Sequence, residues 1–308
     1  MREVELSIIT INYNGIKDTC ALLESIPSND ESLEVIVVDN HSAEDEASEI
    51  EKRYPGVTVI RSEYNLGFAG GNNLGIQASH GRYLLFINND TVTYHPSELA
   101  TCCSPQFFQP LIERLKSSDT IGAVCPKLRF FWDDAPIQFA GYTRLSPITL
   151  RNRAIGSGKK DCGQYSKAHP TPYLHGAAMM VKREAIEKAG MMPECYFLYY
   201  EEYDWSMMLR RAGYTLWYDP AVTIYHKESC STGKASTVKT YYLTRNRLLL
   251  AKRNIIKPLR YLTYLYLFAV VFVRDYLKTY IKGDDWDRWT LRRAYGDFIK
   301  GYVGWQPI

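Results

Sequence analysis

The first ninety residues alternate short apolar, β-branched runs with segments of helical spacing, and this alternation most constrains the fold. Four of the runs predict strands, and a helical segment follows each of the first three. Strands that alternate with helices predict a parallel sheet covered by helices on both faces. The predicted strands are "VELSIITINYN", "LEVIVVDN", "GVTVIRSEYN" and "GRYLLFINND".

Polar side chains end each of these predicted strands. In open α/β sheets, ligands bind beyond the carboxyl ends of the strands. Any loop needs one polar residue after a strand, but four polar ends in succession at one edge of the sheet favour a binding site. The side chains expected at this edge are Asn12, Asn14, Asp39, Asn40, Asn65, Asn88 and Asp90.

The pattern changes after the fourth strand. A helix is predicted in "PQFFQPLIERLKSS", a strand in "IGAVCPKLRFF" and another in "TLWYDPAVTIYH". The segment "FLYYEEYDWSMMLRRAGY" is predicted to be a helix that ends at Gly213. Residues 146–172 are rich in Gly, Ser and Lys and show no periodicity. A loop this long predicts a mobile or functional segment, such as a lid over the site.

Composition indicates a globular protein. The chain has 308 residues, of which 46% are hydrophobic and 23% charged, and this suits a large core in one or two domains. The opening "MREVELSIITINYN" lacks the blocks of a signal peptide. The cysteines form an odd set without a C-x-x-C pair, so we expect reduced thiols in a cytoplasmic protein. They are Cys20, Cys102, Cys103, Cys125, Cys162, Cys195 and Cys230.

Charge divides the chain. Residues 241–308 carry 13 Lys and Arg against 5 Asp and Glu, a net +8, which leaves 24 against 29, a net −5, for residues 1–240. We therefore predict two domains, a catalytic domain at residues 1–236 and a basic, aromatic helical extension at residues 237–308.

Two alternatives are open for this extension. Its uncharged run, residues 261–273, has 13 residues, whereas a bilayer span needs about 20. Aromatic residues with flanking cations are typical of a helix that lies in a membrane interface. The same run would equally suit packing against the catalytic domain or a second subunit.

The acidic cluster in "YYEEYDW" is the first candidate for catalysis. Its carboxylates are Glu201, Glu202 and Asp204. Carboxylates in a first helical turn can simply complement the helix dipole. Among so many aromatic residues, however, desolvation would raise the pKa of a carboxyl group and suit it to take a proton.

Asp90 and His226 are candidate metal ligands. Asp90 offers the oxygen ligand that Mg²⁺ or Mn²⁺ prefers, although "NND" alone is most often a turn. His226 follows a β-run, where a neutral imidazole could bind the same ion or could be an ordinary histidine.

Glycines in "NLGFAGGNNLG", at residues 65–75, are typical of a turn that approaches phosphate. The sequence nevertheless gives only weak support to a dinucleotide-binding fold and none to a P-loop. The loop follows the third predicted strand, whereas a dinucleotide site needs G-x-G-x-x-G after the first. No G-x-x-x-x-G-K-[ST] motif occurs either, so a P-loop is absent from the sequence.

Taken in order, these motifs resemble those of the inverting family 2 glycosyltransferases of the GT-A fold, most closely the branch with bacterial rhamnosyltransferases. The resemblance covers about residues 5–250, and it becomes loose beyond that point. The fold that it implies is a Rossmann-like α/β domain with a mixed sheet flanked by helices, followed by a helical extension. The motifs that carry it are "TINYNG", "VIVVDNHS", "YNLGFAGGNNLGI", "LLFINNDT", "HGAAMMVKREA", "FLYYEEYDWSMMLRRAGY" and "YYLTRNRLLL".

The resemblance implies roles for the metal and catalytic residues. Asp90 matches the second aspartate of the family's D-x-D motif, which coordinates the metal on the diphosphate, and His226 is similar to the histidine that completes that site. Asn88 replaces the first aspartate, which leaves a ribose or sugar contact for it. Glu202 matches the catalytic base but replaces the common aspartate, so Glu201 or Asp204 could share its work.

The remaining implied roles concern the donor. The resemblance places Asp39 against the uracil or thymine ring, with Thr10 and Asn12 lining the same pocket. It likens Asn65 and Asn73 to the conserved asparagines of the donor-side loop. It also assigns the first residue of "HGAAMMV", His175, to the nucleotide-sugar site.

The implied function is metal-dependent, inverting transfer of a sugar from a nucleoside-diphosphate donor to an acceptor hydroxyl in bacterial polysaccharide or cell-wall glycan synthesis. The resemblance implies a dTDP- or UDP-sugar as donor, a glycan or lipid-linked acceptor, Mn²⁺ or Mg²⁺ as cofactor and no nucleic-acid partner. The expected location is the cytoplasm or the inner face of its membrane, and assembly with a second copy stays open.

Two other functions stay open from sequence. A catalytically silent nucleotide-sugar-binding or scaffold protein would share the fold, and the departures at Asn88 and Glu202 would suit it. A nucleotidyltransferase would need a glycine-rich, lysine-bearing loop directly after the first strand, and "TINYNGIKDTC" lacks one.

Overall fold

A computed structural model describes residues 4–27, 32–95, 106–132, 134–228 and 237–308. Three of the cysteines, Cys102, Cys103 and Cys230, lie outside the described residues, as does the predicted domain boundary at residue 236. The cysteines that the structure describes are free thiols.

The predicted alternation in the first ninety residues is confirmed. The elements are β1 (Leu6–Asn12), α1 (Ile16–Ser25), β2 (Leu33–Asp39), α2 (Glu46–Arg53), β3 (Thr58–Arg61), α3 (Gly67–Ala78) and β4 (Tyr83–Ile87). β1 pairs in parallel with both β2 and β4, and β2 pairs in parallel with β3. Asn12 and Asp39 are partners in the register of β1 and β2, so these two strands end level with each other.

The second half completes the sheet with strands of both directions. Its elements are β5 (Thr91–Val92), α4 (Gln109–Lys116), β6 (Ile121–Phe130), β7 (Ile137–Phe139), β8 (His169–Pro170), β9 (Ala178–Lys182), α5 (Arg183–Ala189), a 3₁₀ turn (Glu194–Tyr196), α6 (Glu201–Arg211) and β10 (Thr215–His226). The strand order is β3-β2-β1-β4-β9-β6-β10-β5. Because β9 runs antiparallel to both β4 and β6, the sheet is mixed, as the resemblance implied.

The core lies along the central strands and beneath α6. Leu84, Leu85 and Phe86 of β4 are fully buried, and each such side chain contributes about 1.5–3 kcal/mol to folding. Trp205 of α6 is also fully buried and meets the Phe86 ring edge-on at 5.4 Å between centroids. Its indole nitrogen donates a hydrogen bond to the Gly190 carbonyl at 2.9 Å, so α6 is anchored to the sheet.

The helix predicted from Phe197 begins later than its sequence pattern indicated. α6 starts at Glu201, because Phe197, Tyr199 and Tyr200 all have positive φ angles, at 70°, 68° and 77°. Left-handed backbone conformations cannot continue a right-handed helix. The aromatic run before Glu201 is therefore a strained loop and not a helical turn.

The connection at residues 146–172 is attached to the rest of the chain at several points. β8 pairs with β10, and Tyr142 forms an isolated bridge with Ala154 at the start of the connection. Leu150 is buried in a cluster that includes Leu248 of the helical extension. A role for this connection as a lid stays a prediction.

The extension is helical, as predicted. It comprises α7 (Thr237–Asn254), α8 (Lys257–Tyr266), a π-helical stretch (Leu267–Phe272), α9 (Val273–Lys282) and α10 (Asp285–Lys300). α7 packs along α10 and also contacts α6. Across the described residues, no helix combines the length and the apolarity that a bilayer crossing requires.

Candidate active site

The ends of β1 and β2 form a hydrogen-bonded pair of polar residues. The Asn12 amide donates to Asp39 Oδ1 at 2.8 Å and to Glu46 Oε2 at 2.7 Å. The Ser42 hydroxyl also donates to Asp39 Oδ1, at 2.6 Å. Asn12 and Asp39 are both buried, so their orientation is fixed before any ligand arrives.

Thr10 lies on β1, two residues before Asn12. Its hydroxyl oxygen is buried and has no hydrogen-bond partner among the described residues. Unpaired buried polar atoms are rare in folded proteins, because each loses its hydrogen bonds to water. Thr10 therefore has hydrogen-bonding capacity that the protein itself does not use.

The glycine-rich segment before and within α3 serves packing. Asn65 Oδ1 accepts the Gly67 N–H at 2.9 Å, and the Phe68 N–H donates to the Phe197 carbonyl at 2.8 Å. A Cβ on Gly71 or Gly75 would lie 2.9 Å or 2.3 Å from side-chain atoms of β1. The first amides and the glycines of this turn are thus used for contacts within the protein, and an approach to phosphate stays a prediction.

Asn73 connects α3 to the segment before the 3₁₀ turn. Its amide donates to the Met192 carbonyl at 3.0 Å and to Glu194 Oε1 at 2.7 Å. Its side-chain oxygen accepts the Met192 N–H at 3.1 Å. Asn73 is buried, so all of its side-chain hydrogen bonds lie within the protein.

Asp90 and His226 lie together, although 136 residues separate them in the sequence. His226 Nε2 is 3.0 Å from Asp90 Oδ1, and His226 Nδ1 is 3.0 Å from Gln138 Oε1. All three side chains are buried. Asn88, two residues before Asp90, is half-buried, and its carbonyl accepts the Thr91 N–H at 3.2 Å.

His175 lies close to this pair. The Ala177 N–H donates to His175 Nδ1 at 3.1 Å, which places the ring proton on Nε2. Burial, together with the charge of His226, lowers the pKa of His175 to about 3. The imidazole is therefore neutral at physiological pH, and its Nε2–H can only donate.

Glu201 and Glu202 begin α6 in a desolvated environment. Burial raises the pKa of Glu202 to about 7. Burial, followed by the charge of Glu202, raises the pKa of Glu201 well above its usual range. One oxygen of Glu201 is buried without a hydrogen-bond partner in the described part of the chain. The two groups thus hold a proton near neutral pH, and Glu202 is the one able to release it.

Asp204 differs from the other two acids. It is fully buried, and it accepts hydrogen bonds from the Tyr196 hydroxyl at 3.0 Å and from Asn254 at 2.9 Å. The Arg253 guanidinium forms an ion pair with the same carboxylate. Arg253 and Asn254 connect α6 to the end of α7, and Tyr196 connects it to the preceding 3₁₀ turn.

A ring of aromatic side chains joins the His175 region to Glu202. Tyr142 stacks on His175 with centroids 5.9 Å apart and planes inclined by 8°. The Tyr203 ring lies 5.5 Å from that of Tyr142. The charge of Glu202 contributes to raising the pKa of both phenols, after burial. A chain of neighbouring side chains therefore leads from the Asp90–His226 pair through His175, Tyr142 and Tyr203 to Glu202.

Two arginines lie beside the strained loop. Arg247 of α7 donates a hydrogen bond to the Thr149 carbonyl, and its Nε is buried without a partner among the described residues. Burial lowers the pKa of Arg247, and the nearby charge of Arg151 lowers it further. An anion bound here would relieve this repulsion between like charges.

Sequence patterns did not single out Gln138, Tyr142, Arg245 or Asn246. Gln138 and Tyr142 lie in "IQFAGY", a stretch whose strand is only three residues long and carries no polar end. Arg245 and Asn246 stand in the quoted motif "YYLTRNRLLL", but the charge-rich helix offered no sign that both are fully buried.

The comparisons with known proteins cover more than half of the chain. Residues 7–190, more than half of the chain, match the family described as Glycosyl transferase family 2. The chain is 26% identical over 248 residues to the low-salt glycan biosynthesis hexosyltransferase Agl10 of Haloferax volcanii, which covers 80% of the chain and 75% of that relative. It is 24% identical over 242 residues to the N-acetylglucosaminyl-diphospho-decaprenol L-rhamnosyltransferase of Mycobacterium tuberculosis, which covers 74% and 78%.

A solved structure supports the same fold. The mannosyltransferase PcManGT of Pyrobaculum calidifontis, solved with GDP-Man and Mn²⁺, superposes with a TM-score of 0.55 at 16% identity and covers 97% of this chain and 76% of its own. Identity this low shows the fold alone. The GT-A fold and the similarity to rhamnosyltransferases are confirmed, and the chain belongs to glycosyl transferase family 2 and is a glycosyltransferase.

Proposed function

We propose that this glycosyltransferase is metal-dependent and inverting, and that Glu202 is its catalytic base. The observation that carries the proposal is a glutamate whose pKa is raised to about 7 by burial and which the stacked rings of His175 and Tyr142 link to the Asp90–His226 pair. A general base works best when its pKa lies near the operating pH. Glu202 has that property, and it matches the acid that the family uses.

We assign the nucleobase of the donor to the ends of β1 and β2. Asp39 would accept the ring N–H of uracil or thymine, because its carboxylate is held by Asn12 and Ser42. The unpaired Thr10 hydroxyl supports this pocket, since a base carbonyl or N–H would supply its missing partner. Asn65 would act indirectly by holding the start of α3, where it accepts the Gly67 N–H.

The sugar and ribose are assigned to the next strand ends. Asn88 would contact the ribose or the sugar from its half-buried position after β4. His175 is neutral and presents Nε2–H, so it would donate a hydrogen bond to a donor oxygen. Asn73 would serve the site only by fixing the segment at Met192 and Glu194, because its amide is fully occupied.

The residues present fit a divalent cation. Asp90 and His226 place a carboxylate oxygen and an imidazole nitrogen 3.0 Å apart, and Gln138 orients the imidazole from its other side, as hydrogen-bonded partners of metal ligands do. Within the described part of the chain, no group of three or more His, Cys, Asp or Glu side chains could hold a metal ion. A diphosphate bound beside the pair would complete the ligand set. A bound Mn²⁺ or Mg²⁺ would supply charge stabilisation for the departing diphosphate.

Glu202 performs the proton transfer in this mechanism. The acceptor oxygen forms a bond to the anomeric carbon as the bond from that carbon to the diphosphate oxygen breaks. The diphosphate keeps the bonding electrons, and the acceptor's proton passes to Glu202. Glu201 stays protonated because its pKa is raised well above its usual range, and Asp204 holds α6 through Arg253 and Asn254. One displacement inverts the anomeric configuration.

A comparison of three proteins tests the function. Wild type, Asp90→Ala and Glu202→Gln are each incubated with dTDP- and UDP-sugars and Mn²⁺, and release of nucleoside diphosphate is followed. We expect release by wild type and its loss in both variants. Equal rates in all three would contradict the assigned roles, and no release by any of them would favour a scaffold.

We further propose that the acceptor is lipid-linked and that the face formed by α8 and α9 rests on an anionic membrane. Tyr261, Leu265 and Ile281 on these helices are 68%, 64% and 83% exposed. Lys257, Lys278 and Lys282 are exposed on the same helices. Apolar residues flanked by lysines suit insertion into an anionic interface.

Arg151 and Arg247 support a phosphate-bearing acceptor, because both lie near Tyr200 at the start of α6. The Mycobacterium tuberculosis relative is named for a diphospho-decaprenol acceptor. In this proposal the two guanidinium groups would receive the corresponding phosphates.

Co-sedimentation with vesicles tests the membrane face. Because Leu267 and Val271 are buried in a cluster with Leu248 of α7, removing the extension would disturb the fold, and substitutions are cleaner. Leu262→Ser combined with Leu265→Ser should weaken binding to phosphatidylglycerol vesicles, while the exposed Met191→Ser should not. Equal binding by both variants would contradict the proposal. Loss of a dimer in the double variant would instead assign this face to a second copy.

A further inference from the structure

Three of the four residues directly before Glu201 have a strained backbone. Phe197, Tyr199 and Tyr200 have φ angles of 70°, 68° and 77° although none of them is glycine. Such conformations persist only where the surrounding structure imposes them, and they cluster at functional sites. The contacts that impose them here come mainly from the helical extension.

Asn246 of α7 holds the carbonyl groups of this loop. Its amide nitrogen lies 3.0 Å from the Tyr196 oxygen, 2.7 Å from the Leu198 oxygen and 3.0 Å from the Tyr199 oxygen. Asn246 is fully buried. An amide nitrogen has two hydrogens, so three convergent carbonyl groups use its donor capacity completely.

Arg245 supports Asn246 and extends the same network. Its guanidinium donates to Asn246 Oδ1 at 2.8 Å and 3.0 Å, which fixes the orientation of the amide. It also donates to the Tyr196 carbonyl at 2.9 Å. Arg245 is fully buried, and its charge lies 4.9 Å from the centre of the Tyr242 ring. Burying a guanidinium is costly unless its donors are satisfied, and here backbone and amide oxygens satisfy them.

The end of the chain closes the network. Gly304 accepts a hydrogen bond from Arg245 at 2.8 Å, and its N–H donates to the Cys195 carbonyl at 2.7 Å. The Gln306 N–H donates to the Tyr242 hydroxyl at 3.0 Å. Residues 304–306 are thus attached both to α7 and to the segment that leads into the strained loop.

α7 holds the other side of the glutamates as well. Asp204, within the first turn of α6, is bound by Arg253 and Asn254 at the end of α7. Glu201 and Glu202 therefore lie between two points of attachment to one helix, the loop carbonyls on one side and Asp204 on the other.

We propose that Arg245 and Asn246 are positioning residues that fix the catalytic base, and that the helical extension is part of the active site as well as of the membrane face. The inference rests on the proposed role of Glu202. Without these contacts the loop would relax toward right-handed backbone angles, and the first turn of α6 would shift. The base would then sit off its line to the acceptor and would be better hydrated.

Asn246→Asp is the most direct test, because it keeps the shape of the side chain and replaces the donor by an oxygen that repels the three carbonyls. We expect kcat to fall by about 100-fold, the order of loss that a displacement of about 1 Å causes, with the KM for the donor within about 2-fold of wild type. Lys252→Gln, an exposed change on the same helix, should leave both constants unchanged.

The pH profile separates positioning from mere support of the fold. Glu202 faces Glu201, Tyr142, Tyr200 and Tyr203. In wild type the acidic limb of kcat should fall at about pH 7, the raised pKa of Glu202. In Asn246→Asp, better hydration of Glu202 should lower its pKa, and the acidic limb of kcat should move to lower pH, toward the usual carboxyl range. A loss of folded protein alone would lower kcat without moving the limb.

Two further variants decide the matter if Asn246→Asp does not fold. Arg245→Lys keeps the charge but loses the paired contacts, and Tyr242→Phe removes the hydroxyl that accepts the Gln306 N–H; both should lower kcat and shift the limb in the same direction. Wild-type kcat and pH profile in all folded variants would overturn the inference while leaving Glu202→Gln inactive. Unaltered activity of Glu202→Gln would instead overturn the proposed function.

Discussion

The Tyr142 ring lies parallel to the His175 imidazole, with centroids 5.9 Å apart. This stack joins the two halves of the candidate site. On one side, the charge of His226 acts on His175, and His226 in turn contacts Asp90. On the other side, the charge of Glu202 acts on Tyr142. The Asp90–His226 pair and Glu202 are therefore linked through this stacked ring pair.

Asp90→Asn should remove metal-dependent donor binding. The change keeps the size of the side chain but removes its negative charge, so a divalent cation loses one anionic ligand. We expect kcat/KM to fall by about 10² to 10³, as for loss of one strong electrostatic contact. Mn²⁺ with UDP or dTDP should raise the melting temperature of wild type but not of the variant.

The exposed Asp119→Asn is the matched control for this charge removal. It should keep both the activity and the thermal shift of wild type. A thermal shift in Asp90→Asn equal to that of wild type would show that the cation binds elsewhere.

The rate of transfer should rise with pH up to about pH 7. Glu202 takes a proton only when it is ionised, and burial raises its pKa to about 7, so activity should be half-maximal at about this pH and level off above it. The check is kcat at saturating donor between about pH 5 and 9. A midpoint near the ordinary carboxyl value of about 4.3 would contradict a desolvated base.

Glu202→Gln should be inactive and yet more stable than wild type at pH 8. The folded-state pKa of Glu202 is raised, so between its unfolded value and about pH 7 the native state binds more protons than the unfolded state. Stability therefore falls as pH rises through that window, and the loss is complete above it. The neutral amide escapes a loss on the order of 3 kcal/mol.

Denaturant unfolding at pH 5 and pH 8 measures this difference. The gain of Glu202→Gln over wild type should be larger at pH 8 than at pH 5. An equal gain at both pH values would mean that the stabilisation does not come from proton linkage.

Local sequence patterns predicted the first half of the fold, from β1 to β4, well. The strands that end at Asn12 and Asp39 follow from apolar, β-branched runs, and parallel pairing makes their ends level. The late start of α6 could not be predicted, because the carbonyl contacts that impose left-handed angles on Tyr199 come from Asn246, 47 residues away. Sequence periodicity reports only local preference.

The candidate site shows the same division. Asp90 and His226 could be nominated from residue type and position, but Gln138, which orients the imidazole, is 88 residues from it in the sequence. Glycines such as Gly71 and Gly75 are typical of a turn near phosphate, but their close packing against β1 follows only from the structure. Both the position of Gln138 and the packing of these glycines depend on contacts between segments that are far apart in the sequence.

Asn73→Ala should affect stability more than catalysis. The change removes hydrogen bonds to Met192 and Glu194 and leaves buried backbone groups of Met192 unpaired, at a cost of about 1–3 kcal/mol. The KM for the donor should stay within about 2-fold of wild type at a temperature where the variant is folded. A large rise in KM without loss of stability would place Asn73 in direct contact with the donor.

Gly67→Ala should be among the most destabilising single changes in the chain. Gly67 has a φ of 70°, and a Cβ added to it would lie 2.1 Å from the Phe197 carbonyl oxygen, which also accepts the Phe68 N–H. The alanine therefore carries both left-handed strain and a clash with backbone, and we expect a loss of about 2–4 kcal/mol in the free energy of unfolding. Gly56→Ala, whose added Cβ would meet nothing within 4 Å, is the control and should change stability by less than about 1 kcal/mol. Because Phe197 begins the strained loop before Glu202, the activity of folded Gly67→Ala should fall as well. If Gly67→Ala and Gly56→Ala unfolded at the same denaturant concentration, the close approach of α3 to this loop would be refuted.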